Sequence, residues 1–264
     1  MTRPKKIKLI KVKYPITIEK VFSRKCRVFQ SKLNGLTRNL IEKISPYYKA
    51  RLVQQAAKSH YRTNSLEDDL KRVLTDSNTV NEVWSEMEMD KMLSMTVEDI
   101  DNYNLKNFTN LDEAILGIDV FENRALYQSS KAMFKQETRK YLIKIYDDHF
   151  MQAETLIFDG LRFGDSQRTL AKKLMELKTM KRSKANLIAR DQVSKLNGQI
   201  NKIRQTKLGI TDFIWNTVGD SRVRSEHREH EGKKYSWSKG AAGNYPGRDI
   251  QCRCTADAVL KYDN

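Results

Sequence analysis

The sequence predicts a mainly α-helical protein with a small C-terminal α+β module: long helices followed by an irregular, β-containing, Gly-rich domain. Three observations carry this expectation. Only 4 Pro and 11 Gly occur in 264 residues, so helix-breaking positions are sparse and long helices are easy to build. Apolar residues recur at three- and four-residue steps through most of the chain, the spacing that lines one face of a helix. After Gly209 that period gives way to β-formers and turn residues in DFIWNTVGDSRVR and KGAAGNYPGRD, the pattern of short strands between turns.

Taken in order, residues 1–16 read as a basic extended arm. KKIKLIKVKY over 5–14 alternates Lys with β-formers, and Pro15 stops it. Such a segment is an edge strand, an arm that adds a strand to a partner's sheet, or an untethered tail; all three stay open. Residues 17–113 read as a helical N-terminal region with an acidic hinge segment. Ile18, Val21, Phe22, Phe29, Leu33, Leu36, Leu40 and Ile44 make a first helix that is predicted to end at Ser45-Pro46, since proline removes a helix hydrogen bond. A second helix is expected from about Tyr47 to Tyr61, and Ser65 with Asp68 begins a third. Over 76–113 the chain is acidic and Met- and Asn-rich; it predicts a helix from Val80 to Met95, then a loop acting as hinge. Residues 114–209 form the central helical region, with a long helix from Asn123 to Ala153. Ser166 and Ser183 cap the next two helices, and Gly209 closes the second as a C′ glycine. Ala185, Ile188, Ala189, Val193, Leu196, Ile200 and Ile203 line a packing stripe on that helix. Residues 210–264 are the C-terminal module.

The formal net charge is +16 and the mean hydropathy −0.68. Charge is uneven: residues 1–63 hold 17 Lys/Arg against 2 Asp/Glu, 64–114 hold 4 against 13, and 115–264 hold 28 against 18. A segment as basic as the first attracts polyanions over a Debye length of about 8 Å at physiological salt. Lys5, Lys6, Lys8, Lys11, Lys13, Arg24, Lys25 and Arg27 are therefore the candidate DNA-binding residues, for double-stranded DNA without sequence preference; the alternatives are a solvated face or an acidic protein partner. No window approaches the roughly 18 consecutive apolar residues of a membrane span, and no secretory signal follows the basic start. Three cysteines, an odd number with two of them separated by one residue, do not make a disulfide framework. A soluble chain made in a reducing cytoplasm is expected.

The C-terminal 110 residues carry an ordered set of motifs. Gly160, Gly164 and Ser166 come first, then Ile188-Ala189-Arg190, Gly209-Ile210 and Trp215. Asp220, Arg222, Arg224, His227 and Gly232 follow within DSRVRSEHREHEG, and Pro246-Gly247 and Cys252-Arg253-Cys254 complete the set. In this order they resemble the phage Mu F-like, or head-morphogenesis, family. Two departures stand out. Arg190-Asp191-Gln192 replaces a common Arg-Thr-Glu, and Arg224 and His227 stand where many relatives have a Cys-x-x-Cys pair. The resemblance implies a minor head protein of a tailed bacteriophage rather than an enzyme. It implies residence in the virion interior after assembly in the host cytoplasm, and contact with the portal protein, with scaffold or major capsid protein as further partners. It also implies a part in DNA packaging or delivery.

Beside the resemblance, the residues themselves offer chemistry. His227, His230, Cys252 and Cys254 are four groups of the kinds that bind Zn²⁺, at spacings unlike a zinc finger's. A small module with little apolar material gains from a structural metal; the other reading is no cofactor, with a hydrogen-bonded histidine and two buried thiols. His227-Arg228-Glu229 with the two cysteines departs from the deaminase pattern, because Pro246 is not adjacent to Cys252 and one residue, not two, separates the cysteines. Asp220, Glu229, His227 and His230 suggest the enzymatic alternative, a metal-dependent nuclease or other DNA-processing enzyme. A structural role for the signature is a clasp: Asp220 pairs with Arg222 or Arg224, and Arg253 reaches it from the other end of the module. Trp215, Tyr235, Trp237 and Tyr245 would supply a small core.

Overall fold

The computed structural model describes residues 6–56, 63–76, 85–108, 127–179 and 181–262. Its elements are β1 (Lys6–Ile10), α1 (Ile16–Ala56), α2 (Thr63–Asp76), α3 (Glu86–Lys106), α4 (Gln128–Phe163) and α5 (Gln167–Met175). After these come α6 (Arg182–Lys207), β2 (Asp212–Asn216), α7 (Ser225–His230), β3 (Lys234–Ser236) and β4 (Thr255–Tyr262). The protein is thus mainly α with a small sheet, as the periodicity predicts. Two compact units arise, one from Met1–Arg24, Lys91–Thr138 and Ala185–Asn264, the other from Lys25–Asp90 and Arg139–Lys184. Each unit takes alternating stretches of the chain.

Several boundaries differ from the sequence expectation for physical reasons. Helix α1 does not stop at Ser45-Pro46 but carries Pro46 inside it. Leu40, Ile44 and Tyr48 are all buried across that position, and continuous burial of one face outweighs the lost backbone bond. The segment expected to be a hinge is largely α3. It runs beyond Met95 because Val97 and Ile100 are buried together with Asn104, extending the three-four spacing. The stretch from 109 to 126, which holds the predicted start at Asn123, lies outside the described residues.

In the second unit, Phe29, Leu33, Leu36, Leu40 and Ile44 bury one face of α1. His149 is buried between two hydroxyls, with Nε2 2.8 Å from Thr37 Oγ1 and Nδ1 2.9 Å from Thr179 Oγ1. Burial pushes its pKa down to about 4, so the ring is neutral at pH 7. Ser166 caps α5 by accepting from the Thr169 N–H at 3.1 Å.

In the first unit the four strands are ordered β1-β4-β2-β3, every pair antiparallel. Central β4 is buried at each residue from Thr255 to Leu260. The basic arm is not free: Lys6↔Tyr262 through Ile10↔Ala258 pair β1 with β4. The Val12 N–H then donates to the buried Asp257 carboxylate at 2.8 Å. Ile10 and Val12 join a core with Phe108, Leu208, Ile210, Ala258 and Leu260. Of the edge-strand, partner-strand and tail readings, the edge strand of the chain's own sheet is the one formed.

Helix α6 supports the module. Gly209 (φ +70°) ends it as a C′ residue, with Ile210 N–H on Gln205 O at 2.9 Å and Gly209 N–H on Thr206 O at 3.1 Å, a Schellman pair. The apolar stripe from Ala185 to Ile200 is buried as expected, with Ile203 half-buried. A second, polar stripe was not foreseen: Asp191, Ser194, Gly198, Asn201 and Gln205 recur at steps of three and four. Asn201 Nδ2 and Gln205 Nε2 donate to Ala256 O at 3.0 and 2.8 Å, and Ser194 Oγ donates to Cys252 O. Gly198 is small by necessity, since a Cβ there would lie 2.8 Å from Pro246 O. Gly198→Ala should therefore destabilise the protein by about 1–3 kcal/mol through overpacking. Helix propensity alone predicts the opposite sign, a gain of up to about 1 kcal/mol. An unchanged or raised midpoint in urea denaturation would refute the close approach.

Candidate functional site

The site is built on the short helix α7 and the segment leading into β4. α7 follows a turn at 217–224, and Gly232 (φ +70°) turns the chain toward β3 while its N–H donates to Trp215 O at 2.9 Å. Only glycine takes this conformation at no steric cost. Cys252-Arg253-Cys254 is non-helical backbone running into β4. In extended backbone successive side chains point to opposite sides, so the triplet sends two thiols one way and a guanidinium the other.

On the thiol side stands His227, 2% exposed. Its Nδ1 lies 3.6 Å from both Cys252 Sγ and Cys254 Sγ. Its Nε2 lies 2.9 Å from Asp249 Oδ2, which also accepts from Asn244 Nδ2 at 2.9 Å. Burial raises the Asp249 pKa, but the bonds from Asn244 and His227 outweigh it, and the group is a carboxylate below its ordinary range. A carboxylate only accepts, so Nε2 carries the proton and the Nδ1 lone pair faces the sulfurs. Cys252 is the more acidic thiol: a hydrogen bond from Cys254 and backbone N–H groups hold it below the ordinary thiol range against burial, while Cys254 is pushed up. All three cysteines are free and buried. His230 does not join: its Nδ1 is 2.7 Å from Tyr235 Oη and its ring lies 4.8 Å from Trp215's. Of the four groups expected from sequence as possible zinc ligands, His227, Cys252 and Cys254 are brought together and His230 is not, because α7 turns it to the aromatic cluster. Trp215 and Trp237 are buried in that cluster, with Tyr235 and Tyr245 packed against it.

On the other side, Arg253 and Arg222 both donate to Asp220 Oδ2, Arg222 at 2.9 Å, and the Arg222 N–H meets Oδ1 at 3.1 Å. Burial raises the Asp220 pKa, yet the guanidinium bonds dominate and hold it at about 2. Arg224 does not pair with Asp220; it donates to Ile250 O at 2.8 Å. Gln251 sits at φ +59°, a strained value for a side-chain-bearing residue. Its N–H is held by Asp191 at 3.1 Å and its amide oxygen by Arg190 at 3.1 Å. Gly247 (φ +82°) lies against α6, where a Cβ would meet Ser194 O at 2.9 Å, and its neighbour Pro246 presents the carbonyl that faces Gly198. A cleft of about 270 Å³ opens here, lined by Arg190, Asp220, Arg224, His227, Cys252 and Cys254 among others.

The nuclease grouping is not assembled among the described residues. Asp220 is occupied by two guanidiniums, His230 by Tyr235, and Glu229 is exposed. The cysteines also lead into a strand rather than starting a helix, unlike the deaminase arrangement. Of the basic candidates, Lys11, Lys13 and Arg24 are exposed, and Lys8, Lys25 and Arg27 are half-buried. Lys5 and the Lys6 side chain lie outside the described residues. Sequence reasoning missed Asp249, Asp191, Gln251 and the polar stripe of α6; the three-four recurrence of polar residues there was the readable signal.

The clasp predicts a pH dependence. Asp220 has a folded pKa below its unfolded value, so its contribution is complete above about pH 4 and is lost as pH falls toward 2. Arg253→Ala should lower the thermal midpoint at pH 7, and Asp220→Asn should flatten the decline between pH 4 and 2. Acid melting curves that superimpose on the parent's would rule the clasp out.

Residues 151–257 match the family described as Phage Mu protein F like protein. An uncharacterized protein of Haemophilus influenzae is 30% identical over 162 residues, 60% of this chain and 34% of that protein. The chain thus spans about a third of the length of the curated relative it matches. No solved structure matches. The matched stretch runs from α4 into β4 and contains every motif from Gly160 to Cys254, so over residues 151–257 this chain is similar to the phage Mu protein F-like family.

Proposed function

We propose that this chain is a minor head protein of a tailed bacteriophage, held inside the virion, associated with the portal and binding DNA without sequence preference. The observation that carries the reading is the family match over 151–257, which points to phage head morphogenesis. The geometry supports a structural rather than a catalytic use of the signature. Its charged groups are spent on one another and on backbone: Arg253 and Arg222 on Asp220, Arg224 on Ile250 O, Arg190 on Gln251 and Glu19. Portal protein is the expected partner, with scaffold or major capsid protein as neighbours during assembly. Exposed Lys11, Lys13 and Arg24 supply cationic groups for phosphate contacts.

Mass spectrometry of purified phage heads and tails should find the protein in heads, and it should co-purify with portal oligomers from infected cells. Its absence from both procapsids and mature heads would sink the reading. DNA affinity should fall steeply with salt, with a log–log slope of about −0.9 per phosphate neutralised. Lys11→Ala with Lys13→Ala should make that slope shallower. A salt-independent affinity, or chelator-sensitive cleavage of plasmid DNA abolished by Asp220→Asn in folded protein, would favour an enzyme instead.

A further inference from the structure

The thiol side of the site has a geometry that fits the coordination shell of a metal ion. Two sulfurs, each 3.6 Å from the same Nδ1, converge on one imidazole lone pair, which can accept one good hydrogen bond and not two. A tetrahedral metal resolves this. With Zn–N of about 2.0–2.1 Å and Zn–S of about 2.3 Å, the tetrahedron's N···S edge is about 3.6 Å. Both separations equal that edge. The donor set is also suited: two thiolates and a neutral imidazole are soft and borderline ligands that select zinc over calcium or magnesium.

We propose that His227 Nδ1, Cys252 Sγ and Cys254 Sγ hold one zinc ion, with Asp249 as the carboxylate that orients the histidine. The remaining coordination position is filled by water from the cleft, because all three ligands line it and no fourth His, Cys, Asp or Glu among the described residues joins them. Asp249 completes the carboxylate–histidine–metal arrangement that fixes ring orientation in metal sites. Cys252 and Cys254 are 4% and 5% exposed and His227 2%, so the site is enclosed except toward the cleft. The metal ties α7 to the start of β4, two segments separated along the chain by residues 231–254, which include β3. This is independent of the head-protein reading, and either can fail without the other.

The test uses the full-length protein purified without chelator. Elemental analysis should find about one zinc per chain. Replacement by Co²⁺ should give thiolate-to-cobalt charge-transfer bands and the intense visible bands of a tetrahedral site. Cys252→Ser, Cys254→Ser and His227→Ala should each abolish these bands, while His230→Ala should keep them. Asp249→Asn should weaken zinc binding about 10- to 100-fold. Removing zinc from the parent should lower its thermal midpoint, reversibly on zinc addition. Zinc-free protein that gives no cobalt–thiolate band overturns the proposal. Loss of the metal in folded His230→Ala protein overturns the three-ligand assignment.

Discussion

The C-terminal module depends on a single constraint: one face of α6 must supply the hydrogen-bonding partners that an irregular chain cannot find within itself. Between β3 and β4 the backbone makes few ladder bonds, and buried carbonyls and amides must be paired somewhere. α6 provides for them with Asp191 and Ser194, and with Gly198 where the loop backbone comes closest, while Asn201 and Gln205 hold a carbonyl of β4. Gln205 reaches further still, accepting from Trp237 Nε1 at 2.9 Å while donating to Ala256 O. The helix is buried on other faces too. Arg204, 2% exposed, pairs with Asp101 of α3 at 2.9 Å, and Lys131 neutralises the same carboxylate at 2.7 Å. A buried arginine left without such partners would be severely destabilising.

From that support follows the arrangement of the signature residues. Asp191 and Arg190 hold Gln251 in its left-handed conformation, and this sets the direction in which Cys252, Arg253 and Cys254 leave. Alternation along the triplet then divides its work. The cysteines face His227 and the arginine faces Asp220, so one short segment meets α7 on one side and the preceding turn on the other. Thiol–imidazole contact and guanidinium–carboxylate pairing thus act on neighbouring residues without competing for the same space.

How much of this was legible in the sequence depended on the range of the interaction. Local signals read well. Ser166 as a cap and Gly209 as a C′ residue follow from chemistry within a few residues, and the aromatic cluster around Trp215 follows from residue type. His227, Cys252 and Cys254 could be named as a group because their types are diagnostic, but spacing alone could not exclude His230; that took the direction α7 gives its side chain. Pro46 misled because its intrinsic cost is local while the burial that overrides it is not. The polar stripe of α6 was overlooked because polar residues on a helix usually mark the solvent face, whereas here Asp191, Ser194, Asn201 and Gln205 are buried. Asp249 gave no signal at all, since a lone carboxylate in a Gly-rich loop resembles any turn residue.

Pairing of β1 with β4 joins positions some 245 residues apart, as the Val12–Asp257 bond records. During synthesis the first strand therefore leaves the ribosome long before its mate exists. Ile10 and Val12 must wait, uncovered or transiently sheltered, until the closing strand is made. Closing so long a loop gives no stabilisation until it is complete, and non-local pairing of this kind is slow. The β1–β4 ladder can consequently close only after every helix between the two strands has been made.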